Sequence, residues 1–156
     1  MSVEDLAQHI QTLESIEAIK QLKARYCALC DDQYDANGIA SLFTEDAVWD
    51  GGNFGRHEGR EVIRKFFQDA SKIFPFAAHN VMNPIIEVDA DTATGQWYLF
   101  QPCTLAEGSQ AAWLAGRYEE TYVKSEEEWK FKYLTVSPFF FTPYGDGWAK
   151  KPFIGQ

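Results

Sequence analysis

The residues best suited to acid–base chemistry in this chain are its three histidines. His9 lies in a polar N-terminal segment, and His57 lies in the charged turn GRHEGRE. His79 instead lies in the apolar run FPFAAHNV, where a buried imidazole must find a hydrogen-bond partner. A carboxylate on one ring nitrogen would fix the tautomer and raise the basicity of the other nitrogen. His79 is therefore the candidate general base; the alternative is a structural histidine bonded to the backbone or to solvent.

The carboxylate partner for this base is expected at the end of a predicted helix over Ser15 to Asp32. Its apolar residues recur at helical spacing as Ile16, Ile19, Leu22, Tyr26, Leu29 and Cys30. A helical wheel places Asp31 and Asp32 on opposite flanks of this stripe, about equally far from its centre, so the wheel does not choose between them. Tyr26 lies mid-stripe, where core packing and contact with a ligand are equally good interpretations. Ser15 is the expected N-cap of this helix.

The remaining elements change from helical to extended halfway along the chain. The sequence predicts a short second helix opened by Asp35 and Asn37, a strand over Asp46 to Asp50 and a third helix over Glu61 to Ser71. Four extended runs follow at roughly 77–88, 92–103, 110–124 and 128–142, separated by short polar breaks that are typical of hairpins. Helices followed by an antiparallel meander indicate the α+β class.

Composition limits the function. The length of 156 residues predicts one domain over residues 1–156. A net charge of −9 disfavours nucleic acid and anionic membranes as partners. Three cysteines complete neither a disulfide framework nor a zinc site, so no metal is expected. No apolar run reaches the length of a membrane span and the N-terminus lacks a leader-like apolar region, so we expect a cytoplasmic protein.

The last extended run predicts self-association. Trp129, Phe131 and Tyr133 alternate with lysines, which indicates one buried and one wet face, but further along Phe139, Phe140 and Phe141 are continuous. Both faces of the sheet therefore need cover there. A single helical layer covers only one face, so we expect a second copy of the chain or the C-terminal tail WAKKPF to cover the other.

Aromatic residues make up 15% of the chain, which is more than a small core needs. Individually each is better explained by core packing, but together they fit the walls of a pocket for a flat, apolar small molecule. The predicted wall residues are Trp49, Phe54, Phe67, Trp97 and Trp113.

Several strings resemble one family over about residues 12–148. They are IEAIKQLKARYCALCDD, FTEDAVWDGG with RHEGREVIRKFF, HNVMNPIIEVDADTATGQWYL, and GRYEETYV with EEEWKF. Together they resemble the SnoaL-like branch of the nuclear-transport-factor-2-like superfamily. That branch includes polyketide cyclases and is similar to scytalone dehydratase, bile acid 7α-dehydratase and the dehydrochlorinase of lindane degradation. The resemblance implies a cone-shaped, curved antiparallel sheet packed against N-terminal helices.

The resemblance also implies roles for particular residues. The dehydratase-like members use a histidine on the sheet, an aspartate near the end of the long helix and often a tyrosine, which His79, Asp31 and Tyr26 match here. Some of them have a second acid or histidine on the strand that corresponds to GQWYLFQ, where the nearest candidates here are Tyr98 and Gln101. Neither is an easily protonated acid, and Gln101 can orient a substrate but cannot donate a proton as an acid does. This departure favours isomerisation or elimination from an activated substrate over dehydration of an unactivated alcohol.

The function expected from these residues is that of a cofactor-independent lyase or isomerase acting on an apolar polycyclic or aromatic small molecule. The resemblance alone leaves alternatives, because this fold hosts many activities. One is a hydrolase of the epoxide-hydrolase type, for which Arg117 and several acids are available, and another is a non-catalytic binder of an apolar ligand. Dehydratase-like relatives imply a trimer and many cone-fold proteins imply a dimer.

Overall fold

The computed structural model describes all 156 residues. The helices are α1 (Val3–Asp31), α2 (Ala36–Ser41), α3 (Arg60–Ile73) and α4 (Gly147–Lys150). The strands are β1 (Phe43–Asp50), β2 (Arg56–Glu58), β3 (Phe76–Ala77), β4 (Asn80–Asp89), β5 (Thr92–Leu105), β6 (Gln110–Ser125) and β7 (Glu128–Pro143). Single turns of 3₁₀ helix, Gly52–Phe54 and Glu107–Ser109, lie between strands.

Helix α1 begins twelve residues earlier than the sequence predicted, so the assignment of Ser15 as its N-cap was wrong. The cap is Ser2, whose hydroxyl accepts from the Asp5 N–H while the Asp5 carboxylate accepts from the Ser2 N–H. Ser15 is instead buried in mid-helix. The apolar stripe marked only the half of α1 that packs on the sheet.

No helix of the chain combines the length and apolarity of a membrane span, and a cytoplasmic location stays a prediction.

The seven strands form one sheet in the order β2-β1-β7-β6-β5-β3, with β4 also paired to β5. The pairs β4–β5, β5–β6 and β6–β7 are antiparallel hairpins, as the short polar breaks predicted. β1 is the exception to this antiparallel pairing. It follows α1 and α2 in the chain and joins the sheet parallel to β7. The sheet curls into a half-barrel with the N-terminal helices on its concave side, which confirms the α+β prediction.

The core lies between α1 and the concave face of the sheet. Ile19, Leu22 and Tyr26 of α1 are at most 2% exposed, and they meet inward-facing residues of the long strands. On β6 the alternate residues Leu114 and Tyr118 point inward, as the period of two in a strand requires. Each fully buried side chain of this size stabilises the fold by roughly 1.5–3 kcal/mol.

The C-terminal tail covers part of the convex face, as the sequence allowed. Trp148 stacks on Phe140 with ring centroids 5.1 Å apart. Phe153 forms a parallel bridge with Phe141 at the edge of β7. Phe139 remains 51% exposed, so the tail does not cover the whole face. Coverage of the remainder by a second copy stays a prediction.

Candidate active site

The end of α1 places two side chains beside the sheet. Asp31 is the last helical residue, because Gln33 and Tyr34 adopt positive φ angles of 55° and 56° and turn the chain away. The Tyr34 N–H donates to the Cys30 carbonyl at 3.1 Å, which holds this turn closed. Tyr34 is thereby folded back into the core and is only 8% exposed.

The segment that carries His79 lies between β3 and β4, which both pair with β5. The Ala78 N–H donates to the Pro102 carbonyl at 3.0 Å and so holds this segment against β5. The His79 N–H donates to Asp31 Oδ1 at 2.9 Å, and the imidazole Nδ1 lies 2.7 Å from the same oxygen. Asp32 makes no hydrogen bond to His79, so the geometry selects Asp31 as its partner.

This contact orients the imidazole for base chemistry. An ionised carboxylate only accepts hydrogen bonds, so Nδ1 carries the proton and Nε2 keeps a free lone pair. The His79 side chain is 7% exposed and its ring lies in the wall of a cavity. Nε2 has no partner within the protein and is available to a bound molecule. The Asp31 side chain is 36% exposed, so water reaches the outer side of the pair.

The cavity has a volume of about 240 Å³ and lies between α1, α3 and the concave face of the sheet. For scale, an engineered apolar cavity of roughly 150 Å³ holds one benzene molecule. The cavity of this protein has a mostly apolar lining, which includes the 52% exposed residue Ile73. The predicted site residues that line it are Tyr26, Trp49, Phe54, Phe67, His79 and Gln101.

Two predicted wall residues lie elsewhere. Trp113 points to the convex face of the sheet, where it stacks on Phe100 at 5.3 Å, because the inward position on β6 belongs to Leu114. Trp97 does point inward, but it lies four residues from Gln101 along β5, or roughly 13 Å at the rise of a strand. Its indole N–H donates to the Tyr122 hydroxyl at 3.1 Å in the solid core. The prediction that these two tryptophans line the pocket is therefore corrected.

Tyr26 lies at the cavity wall and is tied into the core. Its hydroxyl accepts a hydrogen bond from the Trp49 indole N–H at 2.9 Å, which leaves its own proton available. Burial is the largest cause of a pKa well above the ordinary tyrosine value, so the phenol stays neutral. A role for Tyr26 in binding substrate stays a prediction.

Sequence reasoning missed two further tyrosines, Tyr34 and Tyr118, which both line the cavity. Every second residue of β6 faces inward, and this alternation in the sequence could have identified Tyr118 as a residue of the cavity wall. No sequence pattern marked Tyr34, because it follows the helix in a left-handed backbone conformation that a tyrosine rarely adopts. Arg117, the arginine considered for a hydrolase site, points away from the cavity and lies 5.9 Å from the Tyr98 and Phe139 rings.

The three cysteines are free, as the sequence predicted, and the structure shows that all three are buried. Burial raises the pKa of Cys27 and of Cys103 to about 11, so both stay thiols at neutral pH. Cys30 lines the cavity, and burial raises its pKa as well. No three His, Cys, Asp or Glu side chains come together as a metal site would require. The absence of a metal or cofactor from the function stays a prediction.

The sequence of this chain is similar to a known domain family. The profile of the SnoaL-like domain matches residues 11–135. The chain therefore belongs to the SnoaL-like domain family. An uncharacterized protein of Mycobacterium tuberculosis (strain ATCC 25618 / H37Rv) is 29% identical over 114 residues, which cover 72% of this chain and 77% of that one.

Several solved structures have a fold similar to that of this chain. A type 2 hexachlorocyclohexane dehydrochlorinase (LinA) superposes with a TM-score of 0.79 and 26% identity, covering 84% of this chain and 89% of that chain. A candidate scytalone dehydratase of Novosphingobium aromaticivorans DSM 12444 has a TM-score of 0.78 and 24% identity, covering 92% and 95% of the two chains. An NTF2-like protein with a cystatin-like fold from Novosphingobium aromaticivorans, at 23% identity and a TM-score of 0.70, covers 88% of this chain and 90% of its own. The last two share the fold with this chain.

Proposed function

We propose that this protein is a cofactor-independent lyase or isomerase that removes a proton from a small, largely apolar molecule. The observation that carries the proposal is the His79–Asp31 pair, with Nδ1 2.7 Å from the carboxylate and the ring in the wall of an apolar cavity. The chain is similar to a hexachlorocyclohexane dehydrochlorinase, a name that describes an elimination reaction. This similarity supports the same class of reaction.

In the proposed reaction His79 acts as the general base through Nε2. It takes a proton from carbon, the C–H electron pair forms a new double bond, and either a leaving group departs or the electrons move onto a conjugated oxygen. Asp31 stabilises the imidazolium that forms and holds the ring in orientation. In an isomerisation the same imidazolium returns the proton at another carbon, so the enzyme ends as it began.

Gln101 fits a positioning role in this scheme. It is 4% exposed, lines the cavity and comes from β5, the strand that also anchors the His79 segment. Its amide can orient a polar group of the substrate by a hydrogen bond, but it has no proton to transfer as an acid. The proposal therefore favours activated substrates, in which the leaving group or the carbonyl makes the C–H acidic.

The test measures turnover of a panel of activated substrates, including β-hydroxy ketones and a chlorinated cyclohexane, by release of water or chloride. We expect His79→Gln to lower turnover by at least ~100-fold, because it removes the base. Asp31→Asn should cause a smaller loss, because the base remains but its tautomer and its charged form are less well held. His9→Gln is the matched control, since that histidine is exposed on α1.

Full activity of the His79→Gln variant on a substrate that the native protein turns over would refute the mechanism. Oxygen-18 from solvent water appearing in the product would favour the hydrolase alternative, which the position of Arg117 on the convex face does not support. Tight binding of apolar ligands without turnover by the native protein would identify a binding module instead.

A further inference from the structure

The charged groups next to the cavity are not balanced. The lining itself contains no Lys, Arg, Asp or Glu. Directly behind it lie the Asp31 carboxylate, 2.7 Å from His79 Nδ1, and the Lys23 ammonium, 3.2 Å from the centroid of the Tyr118 ring. Lys23 is neutralised by its contact with Glu120, whereas Asp31 has no Lys or Arg partner. A ligand therefore meets apolar walls and one uncompensated negative charge, in a chain whose net charge is −9.

The apolar wall consists largely of aromatic rings that meet at steep angles, with Phe67 at its centre. The Phe67 ring centroid lies 5.6 Å from that of Trp49 and 6.3 Å from that of Tyr26, each with planes 82° apart. It lies 5.0 Å from that of Phe66 at 66°. The face of an aromatic ring carries negative charge and attracts a cation. Several rings at steep angles around one space are the arrangement by which proteins recognise alkylammonium groups.

The cavity has a candidate base but no group suited to protonate a leaving group. The Gln101 amide has no acidic proton to transfer. Burial is the largest cause that raises the pKa of each phenol and thiol in the lining, so they are poor acids at neutral pH; these residues are Tyr26, Cys30, Tyr34 and Tyr118. Hydroxide and alkoxide need a proton as they depart. Leaving groups that depart without one are a halide and the nitrogen of an ammonium group.

The charges formed in the reaction distinguish these two leaving groups. When His79 takes a proton from a neutral halide, an imidazolium and a halide ion form, and no cation in the lining stabilises the halide. An unpaired ion in an apolar site carries a large desolvation cost. From an ammonium substrate the same step moves one positive charge from nitrogen to His79, beside Asp31, and forms no additional ion. The cavity therefore favours a reaction that shifts charge over one that separates charge.

We infer that the ligand of this cavity is an alkylammonium compound whose amine is the leaving group, so that the reaction is the elimination of an amine. This inference rests on the proposed function and names its substrate class. His79 Nε2 takes a proton from the carbon next to the one that carries nitrogen, and the C–H electron pair forms a carbon–carbon double bond. The C–N bond breaks, its electron pair stays on nitrogen, and the amine leaves uncharged. The imidazolium then returns its proton to water, which reaches the outer side of the His79–Asp31 pair.

The binding test uses two molecules of the same shape, phenyltrimethylammonium and its uncharged isostere tert-butylbenzene. Quenching of the indole fluorescence measures the affinity of each, since Trp49 lines the cavity. We expect the native protein to bind the cation at least about fivefold more tightly, because the aromatic faces and Asp31 attract its charge while both ligands bury the same apolar surface. Equal affinities, or tighter binding of tert-butylbenzene, would overturn the inference.

Replacement of Phe67 removes the central ring of the wall. Phe67→Leu keeps an apolar side chain without an aromatic face, so affinity for the cation should fall about 3–10-fold and affinity for tert-butylbenzene by less than about twofold. Phe66→Leu gives the same comparison at a less buried position, and circular dichroism checks that each variant is folded. Phe76→Leu is the matched control, since that ring is 53% exposed outside the cavity. An unchanged ratio of the two affinities in both wall variants would contradict the inference.

The turnover test compares three leaving groups on the same carbon skeleton: 4-(trimethylammonio)butan-2-one, 4-chlorobutan-2-one and 4-hydroxybutan-2-one. Each eliminates to but-3-en-2-one, whose formation is followed by proton NMR with and without the protein. We expect the acceleration over buffer to be largest for the ammonium compound, by at least about tenfold over the other two, and to be lost in His79→Gln. An acceleration no larger than that of the chloride would overturn the inference.

The two tests separate this inference from the proposed function. Elimination of chloride that depends on His79, without binding or turnover of the ammonium compounds, would retain the base and remove the amine as leaving group. Preferential binding of phenyltrimethylammonium without elimination from any of the three butanones would retain the cation site and remove the proposed proton abstraction, and with it the elimination of an amine.

Discussion

Lys23 and Glu120 form an ion pair whose two side chains are fully buried. The second carboxylate oxygen of Glu120 accepts from the Tyr122 hydroxyl, which in turn accepts from the Trp97 indole N–H. Each charge depends on the other, because water cannot reach either group and a single buried charge carries a large desolvation cost. The pair is thus a polar link between α1 and β6 inside an otherwise apolar core.

Replacement of one member of this ion pair should destabilise the fold. Lys23→Met leaves the Glu120 charge unpaired, and we expect it to lower the free energy of unfolding by about 3–5 kcal/mol. The double variant Lys23→Met/Glu120→Gln removes both charges and should recover most of that loss. Urea unfolding followed by circular dichroism measures both values. Equal midpoints for the native protein and the single variant would show that the pair contributes nothing.

Among the elements, α1 consists of two parts with different surroundings. From Ser15 onward it packs in the concave face of the sheet, and its last residue, Asp31, holds His79. Residues 1–11 are all exposed, and Leu6 and Ile10 among them are 50% and 48% exposed. The first part of the helix therefore adds length to α1 without contributing to the core.

Removal of residues 1–10 tests this division of α1. We expect the truncated chain to unfold within about 1 kcal/mol of the full chain, because the removed residues are exposed and loss of the Ser2 cap costs only about 1 kcal/mol. Ligand affinity in the cavity should also be unchanged. A shift in the urea midpoint worth several kcal/mol would mean that this part of α1 packs against something else, and a simultaneous change in molar mass would identify that partner as a second copy.

At the scale of the whole molecule, the convex face of the sheet carries aromatic residues that a single chain leaves exposed. Tyr98, Phe100 and Phe139 are 40%, 37% and 51% exposed on this face. Arg117 lies among them with its Nε enclosed and without an acceptor. Exposed aromatic patches with an unsatisfied donor are typical of interfaces. A second copy of the chain, as the sequence predicted, would supply both the cover and the acceptor.

Self-association can be tested by light scattering after size-exclusion chromatography. We expect a molar mass of two or three times 17.8 kDa, and a shift towards monomer in Phe139→Glu, which places a charge in the patch. Lys20→Glu, on the exposed side of α1, is the control and should leave the mass unchanged. A native protein that is monomeric at high concentration would contradict the prediction.

Much of the architecture could be predicted from the sequence because it depends on local patterns. The polar breaks placed the hairpins between the four long strands within about three residues of their observed ends. The apolar surroundings of His79 marked it among three histidines, since burial of an imidazole requires a partner. Asp31 was favoured only by family resemblance, because the helical wheel treats it and Asp32 alike.

Tertiary structure alone decided which side chains meet. The backbone N–H and ring of His79 both reach Asp31 because two strands, β3 and β4, share one edge of β5. Tyr34 enters the cavity through a left-handed turn that no periodicity announces, and the pairing of β6 turns Trp113 outward and Tyr118 inward. Periodicity records which face of an element is buried, but the contacts across a cavity depend on strand register and helix ends, which are set by residues distant in the chain.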